Sequence, residues 1–277
     1  MKKALLTSVS LCLLFSAPAM AEEKAYSAKL VSHAILPANT IIAAPADAPA
    51  HLKTSGKFTT ADRKRAEGLG TVPGKDGVRE TGLKMPFDGQ AMQGFSGIKT
   101  MEDGTFWSLS DNGFGSKINS SDSMLMLHHI KFDWEDGKVE PIETVFLSDP
   151  DRKAPFPIVM EGSDQRYLTG ADFDIESIQP VADGFWVGEE FGPSILKFSQ
   201  DGKLTDVIAT KAGEIDVKSP DNVTLVVPAN PTAKMPAFNL KRSGGYEGLA
   251  MSKDGSKLYG LLEGPLYLED GSVEKAD

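Results

Sequence analysis

The sequence predicts an all-β chain, and three observations carry that prediction. Helical periodicity is scarce, and short alternating runs punctuated by Asp-Gly dominate. One strand–turn–strand pattern recurs as "FSGIKTMEDGTFWSLSDNGFG" from Phe95, "IESIQPVADGFWVGEEFGPSIL" from Ile175 and "YEGLAMSKDGSKLYGLLEGPLY" from Tyr246. Each copy ends its second strand on carboxylates: Asp111, Glu189-Glu190 and Glu263. Repetition of one small antiparallel unit points to a β-propeller, with antiparallel four-stranded blades around a central channel. A sandwich with coincidental hairpins is the alternative.

Taken in chain order, Lys2-Lys3, the apolar run Ala4–Phe15 and the small residues Ala17-Pro18-Ala19-Met20-Ala21 read as a signal peptide over residues 1–21. The apolar run is too short to span a bilayer comfortably. The leader style suggests the periplasm, or secretion. Cleavage would remove Cys12, the only cysteine, so the mature chain could form no disulfide even in an oxidising compartment. Residues 22–277 then form one propeller domain, with its core motifs at about 85–267. They are numerous enough to build a core unaided.

The whole chain carries a formal charge of −10, and removing two lysines makes it more acidic. That balance disfavours nucleic acid and anionic membranes as partners. No later apolar run is long enough for a transmembrane helix. Nothing in the pattern specifies an oligomeric state.

Residues 22–90 mix the strand-like "AKLVSHAILPANTII" with a polar, Gly-rich stretch from Lys53 to Asp76, read as a long loop. "LMLHHIKFDWEDGKVEPIETVFL" reads as a hairpin turning at Glu135-Asp136-Gly137, and the prolines of 211–243 mark an inserted loop. The repeats lie farther apart than a blade of about 40–50 residues requires, so degenerate blades or insertions must separate them. The last residues, "LYLEDGSVEKAD", stop just past an Asp-Gly turn. Because ring closure removes sheet edges, this ending suggests an incomplete or shortened propeller.

The carboxylates carry the chemistry. Asp172, Asp174 and Glu176 alternate with Phe173 and Ile175, which on a strand would put three carboxylates on one face. Crowded like charges raise one another's pKa, and a divalent cation relieves the repulsion. All-oxygen donors suit calcium; a solvated edge strand is the other reading. Glu189 and Glu190 are adjacent, so one would face the channel and the other the next turn. Glu190 is taken as the channel residue, with a carboxylate capping backbone N–H groups as the alternative. Asp111, Asp174, Glu176, Glu190 and Glu247 are the candidate metal ligands, with Glu176, Glu190 and Glu247 also candidate catalytic groups. Arg242 is a candidate substrate anchor or the partner of a structural carboxylate, and Tyr246 either orients a ligand or is a buried aromatic.

Other catalytic designs lack their motifs. There is no G-x-S-x-G and no H-E-x-x-H, and "GLGTVPGKDG" lacks the spacing of a phosphate loop. His128 and His129 sit on a strand-like run and read as structural.

The motifs "TGADFDIESI", "DGFWVGEEFGPSIL" and "GGYEGLAMSKDGSKLYGLLEGPL", with "FSGI" and "WSLSDNGFG", resemble the phytase-like propeller family described by an esterase-like activity of phytase. The resemblance covers roughly 85–267. It implies a secreted propeller with a possible calcium-dependent hydrolase activity on a small-molecule ester or phosphoester. Two rivals stand beside it: a non-catalytic envelope propeller that binds a ligand or protein with calcium as a structural pin, and a lactonase-like propeller.

Overall fold

The structure, a computed structural model, describes residues 26–59, 70–73, 78, 80–228, 231–232 and 237–273. The leader read at 1–21 lies outside the described residues.

Two four-stranded antiparallel meanders form the body. The first comprises β1 (Phe95–Thr100), β2 (Phe106–Ser110), β3 (Met126–Asp133) and β4 (Lys138–Phe146). The second comprises β5 (Ile175–Val181), β6 (Gly184–Glu189), β7 (Ser194–Phe198) and β8 (Leu204–Ala209). A third unit contributes the hairpin of β9 (Tyr246–Met251) and β10 (Leu258–Leu262). The first strands β1, β5 and β9 are neighbours in space, as the innermost strands of successive propeller blades are.

Each repeat copy is therefore the first hairpin of a blade. Between the copies lie the outer strands and long connections, at 147–174 and 210–245, so insertions account for the spacing, and among the described residues no degenerate blade intervenes. The hairpin read around Asp136-Gly137 is β3–β4. The segment at 211–243 is largely loop, with one short ladder of Lys211–Ala212 against Ile215–Asp216.

Blades one and two share a core. Leu109, Leu127, Leu147, Ile175, Val187, Leu196 and Phe198 are among its fully or almost fully buried members. Trp107 joins the blades: its ring stacks on His129 at 4.9 Å and meets Phe185 edge-on at 4.7 Å. Blades two and three approach even more closely. A Cβ at Gly188 would lie 2.9 Å from the Tyr246 Cβ and 2.5 Å from the Ser177 hydroxyl, so only glycine permits this spacing.

The three first hairpins share an irregularity. Phe95 and Gly97 pair with the consecutive residues Ser110 and Leu109, which leaves Ser96 as an extra residue. Glu176 is the extra residue between Ile175 and Ser177, and Glu247 between Tyr246 and Gly248. One bulge thus recurs in three blades. Bulges re-aim side chains and concentrate beside functional sites.

These contacts predict that Gly188→Ala destabilises the protein by about 1–3 kcal/mol through overpacking, and Leu196→Ala by about 2–5 kcal/mol through the cavity it leaves. The exposed change Lys131→Ala should stay within about 0.5 kcal/mol. Urea unfolding of the three variants measures this order.

Candidate functional site

The site lies at the ends of the innermost hairpins. The residue that follows each second strand donates its N–H to the residue that precedes the first: Asp111 to Gly94 at 3.1 Å, Glu190 to Asp174 at 2.9 Å and Glu263 to Gly245 at 2.8 Å. This repeated bond sets Asp111, Glu190 and Glu263 in one tier. The bulge residues Ser96, Glu176 and Glu247 form a second tier. Blade two alone carries acids in both tiers and at the preceding position, Asp174. Gly245, which stands in that position in blade three, leaves room: a Cβ there would lie 2.4 Å from the Glu190 Cα.

Asp174, Glu176 and Glu190 each offer an oxygen to a group spanning no more than 4.8 Å, and Glu190, Glu247 and Glu263 form a second such group. The first is the more enclosed, because Asp174 and Glu190 are 6% and 5% exposed. Asp174 Oδ1 and Glu190 Oε1 are buried without a hydrogen-bond partner. Such orphaned acceptors are uncommon and costly unless a further group satisfies them. The second group opens to solvent, and Lys241 Nζ lies 2.8 Å from Glu263.

Burial and mutual repulsion both favour protonation here. Burial, then Asp111, raises Asp174. Burial, then Asp174, pushes Glu176 up to about 9 and Glu190 up to about 8. Asp111 is raised by burial alone, against a 2.7 Å bond from the Gly113 N–H. Glu247 is raised by burial and by Glu263.

The adjacent pair Glu189-Glu190 divides its work. Glu189 is fully buried and turns away from the cluster, accepting the N–H groups of Phe191 at 2.8 Å and Gly192 at 2.9 Å and the hydroxyl of Ser194. It braces the turn between β6 and β7.

Other sequence-identified residues go elsewhere. Asp172 does not share the face of Asp174 and Glu176, which corrects the three-carboxylate row. It precedes β5 in a turn, where the strand alternation has not begun, and accepts the N–H groups of Val159 at 2.7 Å and Thr169 at 2.8 Å and the Thr169 hydroxyl at 2.9 Å. Tyr246 is a packing residue. Its ring meets Gly260, and the Thr210 hydroxyl donates to its oxygen at 3.0 Å. Arg242 pairs with Asp221 through Nη1.

His128 lies 3.0 Å from the Ser110 hydroxyl, but on its other side stands Thr144 and not a carboxylate. Burial lowers its pKa to about 4, so it stays neutral at physiological pH. Glu263, in the second carboxylate group, is not among the sequence-predicted site residues. Its signal in the sequence is its place as the third acid of the repeat.

The defining pattern of the family described as phytase-like, "Esterase-like activity of phytase", matches residues 90–276. An uncharacterized secreted protein of Arthroderma benhamiae is 29% identical over 110 residues, which make up 37% of this chain and 21% of that protein. The match thus spans well under two thirds of the relative. A Bacteroides uniformis crystal structure, provisionally assigned as a 6-phosphogluconolactonase, aligns over 76% of this chain and 66% of its own at 17% identity and a TM-score of 0.29. At that score the likeness carries no argument.

The raised carboxyls predict a pH signature. A carboxyl with a higher pKa folded than unfolded takes up a proton on folding, so its contribution is full below its ordinary value and lost as pH rises through the folded one. The ordinary values are 3.8 for Asp174 and 4.5 for Glu176 and Glu190. Chelator-treated protein should therefore lose stability from about pH 4.5 to about pH 9, by about 1.4 kcal/mol per pH unit for each proton held only in the folded state. Glu190→Gln should flatten that slope in urea unfolding at a series of pH values.

Proposed function

This chain belongs to the phytase-like family, and from that premise we propose that it is an exported, calcium-assisted hydrolase of a small-molecule ester or phosphoester. One observation carries the reading: three buried carboxylates converge with two oxygen atoms left without partners. An all-oxygen donor set of this kind fits a hard divalent cation. Export is supported by the leader pattern at residues 1–21 and by the relative described as secreted. Among the described residues, no helix is long and apolar enough to cross a membrane.

Asp174, Glu176 and Glu190 would hold the ion, with Asp111 beside Asp174. When bound, calcium would polarise the scissile group and make a water more acidic. The chain supplies the rest. Glu190 belongs to both carboxylate groups and so ties the ion-holding end to Glu247. Glu247 is exposed, and we assign it the proton of the attacking water. As the water oxygen bonds to the acyl or phosphoryl centre, the bond to the leaving oxygen breaks. That oxygen then takes the proton back from Glu247.

A lactone, a carboxyl ester and a phosphoester, each assayed with calcium and with chelator, test the reading. One class should be hydrolysed only with calcium. Glu190→Gln should lower kcat about a hundredfold or more, and Glu247→Gln by about 10²–10⁴-fold with calcium binding retained. Hydrolysis that survives Glu190→Ala combined with Glu247→Ala would overturn the site. A calcium-dependent melt with no hydrolysis of any class would favour a binding propeller pinned by calcium.

A further inference from the structure

A cleft of about 940 Å³ opens beside the carboxylates and not over them. Lys117 and Arg242 line it, whereas Asp111, Asp174, Glu176, Glu190 and Glu247 do not. Its walls mix apolar and polar surface, with Ile118, Phe156, Val223 and Leu225 on the apolar side.

Lys117 is half-buried, and its Nζ lies 5.2 Å from the centre of the Phe191 ring. Its one hydrogen bond is long, 3.3 Å to the main-chain carbonyl of Asp221. An ammonium has three N–H donors, so two remain without an acceptor among the described residues. Arg242 engages Asp221 through Nη1 and keeps further donors of its planar fork. Of the two acids in the lining, Asp172 is already committed to three hydrogen bonds. The two cations therefore keep N–H donors to offer, while Asp172 has its acceptors already taken, and the apolar part of the walls strengthens a hydrogen bond made there.

We propose that this cleft binds an organic anion with an apolar body, its charged head on Lys117 and Arg242 and its body along Phe156 and Ile118. A phosphate or a carboxylate head meets the same donors. The volume falls within the usual range of small-molecule sites, about 300–1,000 Å³. Two chain links connect the cleft to the carboxylates. Phe191, under Lys117, follows Glu190; Arg242 follows Lys241, which pairs with Glu263. The cations of the cleft are thus joined through the chain to the carboxylate end. As a substrate arm the cleft rests on the proposed hydrolase; as a binding site it does not.

Calorimetric titration of the full chain in excess chelator, with phenyl phosphate, benzoate and inorganic phosphate as probes, tests the proposal. At least one organic probe should bind, and inorganic phosphate should bind at least tenfold more weakly. Lys117→Met and Arg242→Met should each weaken organic binding at least tenfold, and Lys117→Arg should keep most of it. A melting curve checks that each variant folds, and the exposed Arg242 keeps the test decisive if Lys117→Met does not. No organic binding, unchanged binding in a folded methionine variant, or equal binding of inorganic phosphate would overturn the cleft assignment. Organic binding without hydrolysis of any ester would uphold the cleft and overturn the hydrolase.

Discussion

Everything at the channel end depends on one electrostatic constraint: the fold brings carboxylates together where water reaches them poorly. Asp174 and Glu190 are buried, and each keeps an oxygen without a partner. Two responses relieve such crowding, protonation or a cation. The repeated backbone bond and the bulge hold the side chains in place, so the acids cannot separate to relax. The glycine spacing around Gly188 and Gly245 keeps the blades too close for the cluster to loosen.

The same geometry explains how one repeat serves different ends. The two tiers are equivalent in three blades, yet blade one supplies Ser96 where the others carry Glu176 and Glu247. Charge therefore concentrates around blade two, flanked by Asp111 on one side and Glu247 and Glu263 on the other. Cations stand outside this centre: Lys241 on Glu263, Arg242 on Asp221 and Lys117 over Phe191. On the proposed reading, the carboxylate cluster would hold the metal and the cleft with Lys117 and Arg242 the organic anion.

Much of this was legible in the residues. Asp-Gly turns and apolar alternation located all three first hairpins, and the recurring acids at Asp111, Glu190 and Glu263 marked one end of the channel. The division of Glu189 from Glu190 follows from strand alternation, because neighbours must face opposite ways. Asp172 misled because alternation holds only within a strand, and β5 starts at Ile175. The bulges at Ser96, Glu176 and Glu247 were illegible, since an extra residue shows only in the register between two strands. Lys117 was illegible for another reason: a loop brings it to Phe191, and loop paths leave no periodic trace.

On the proposed function, the buried carboxylates hold protons when metal-free and exchange them for a cation. Calcium titration calorimetry at pH 7, repeated in buffers of different ionisation enthalpy, counts the protons released. Saturable binding with about one or more protons released per ion is expected, with release reduced in Glu176→Gln and Glu190→Gln. No calcium binding, or binding that releases no protons, would contradict it.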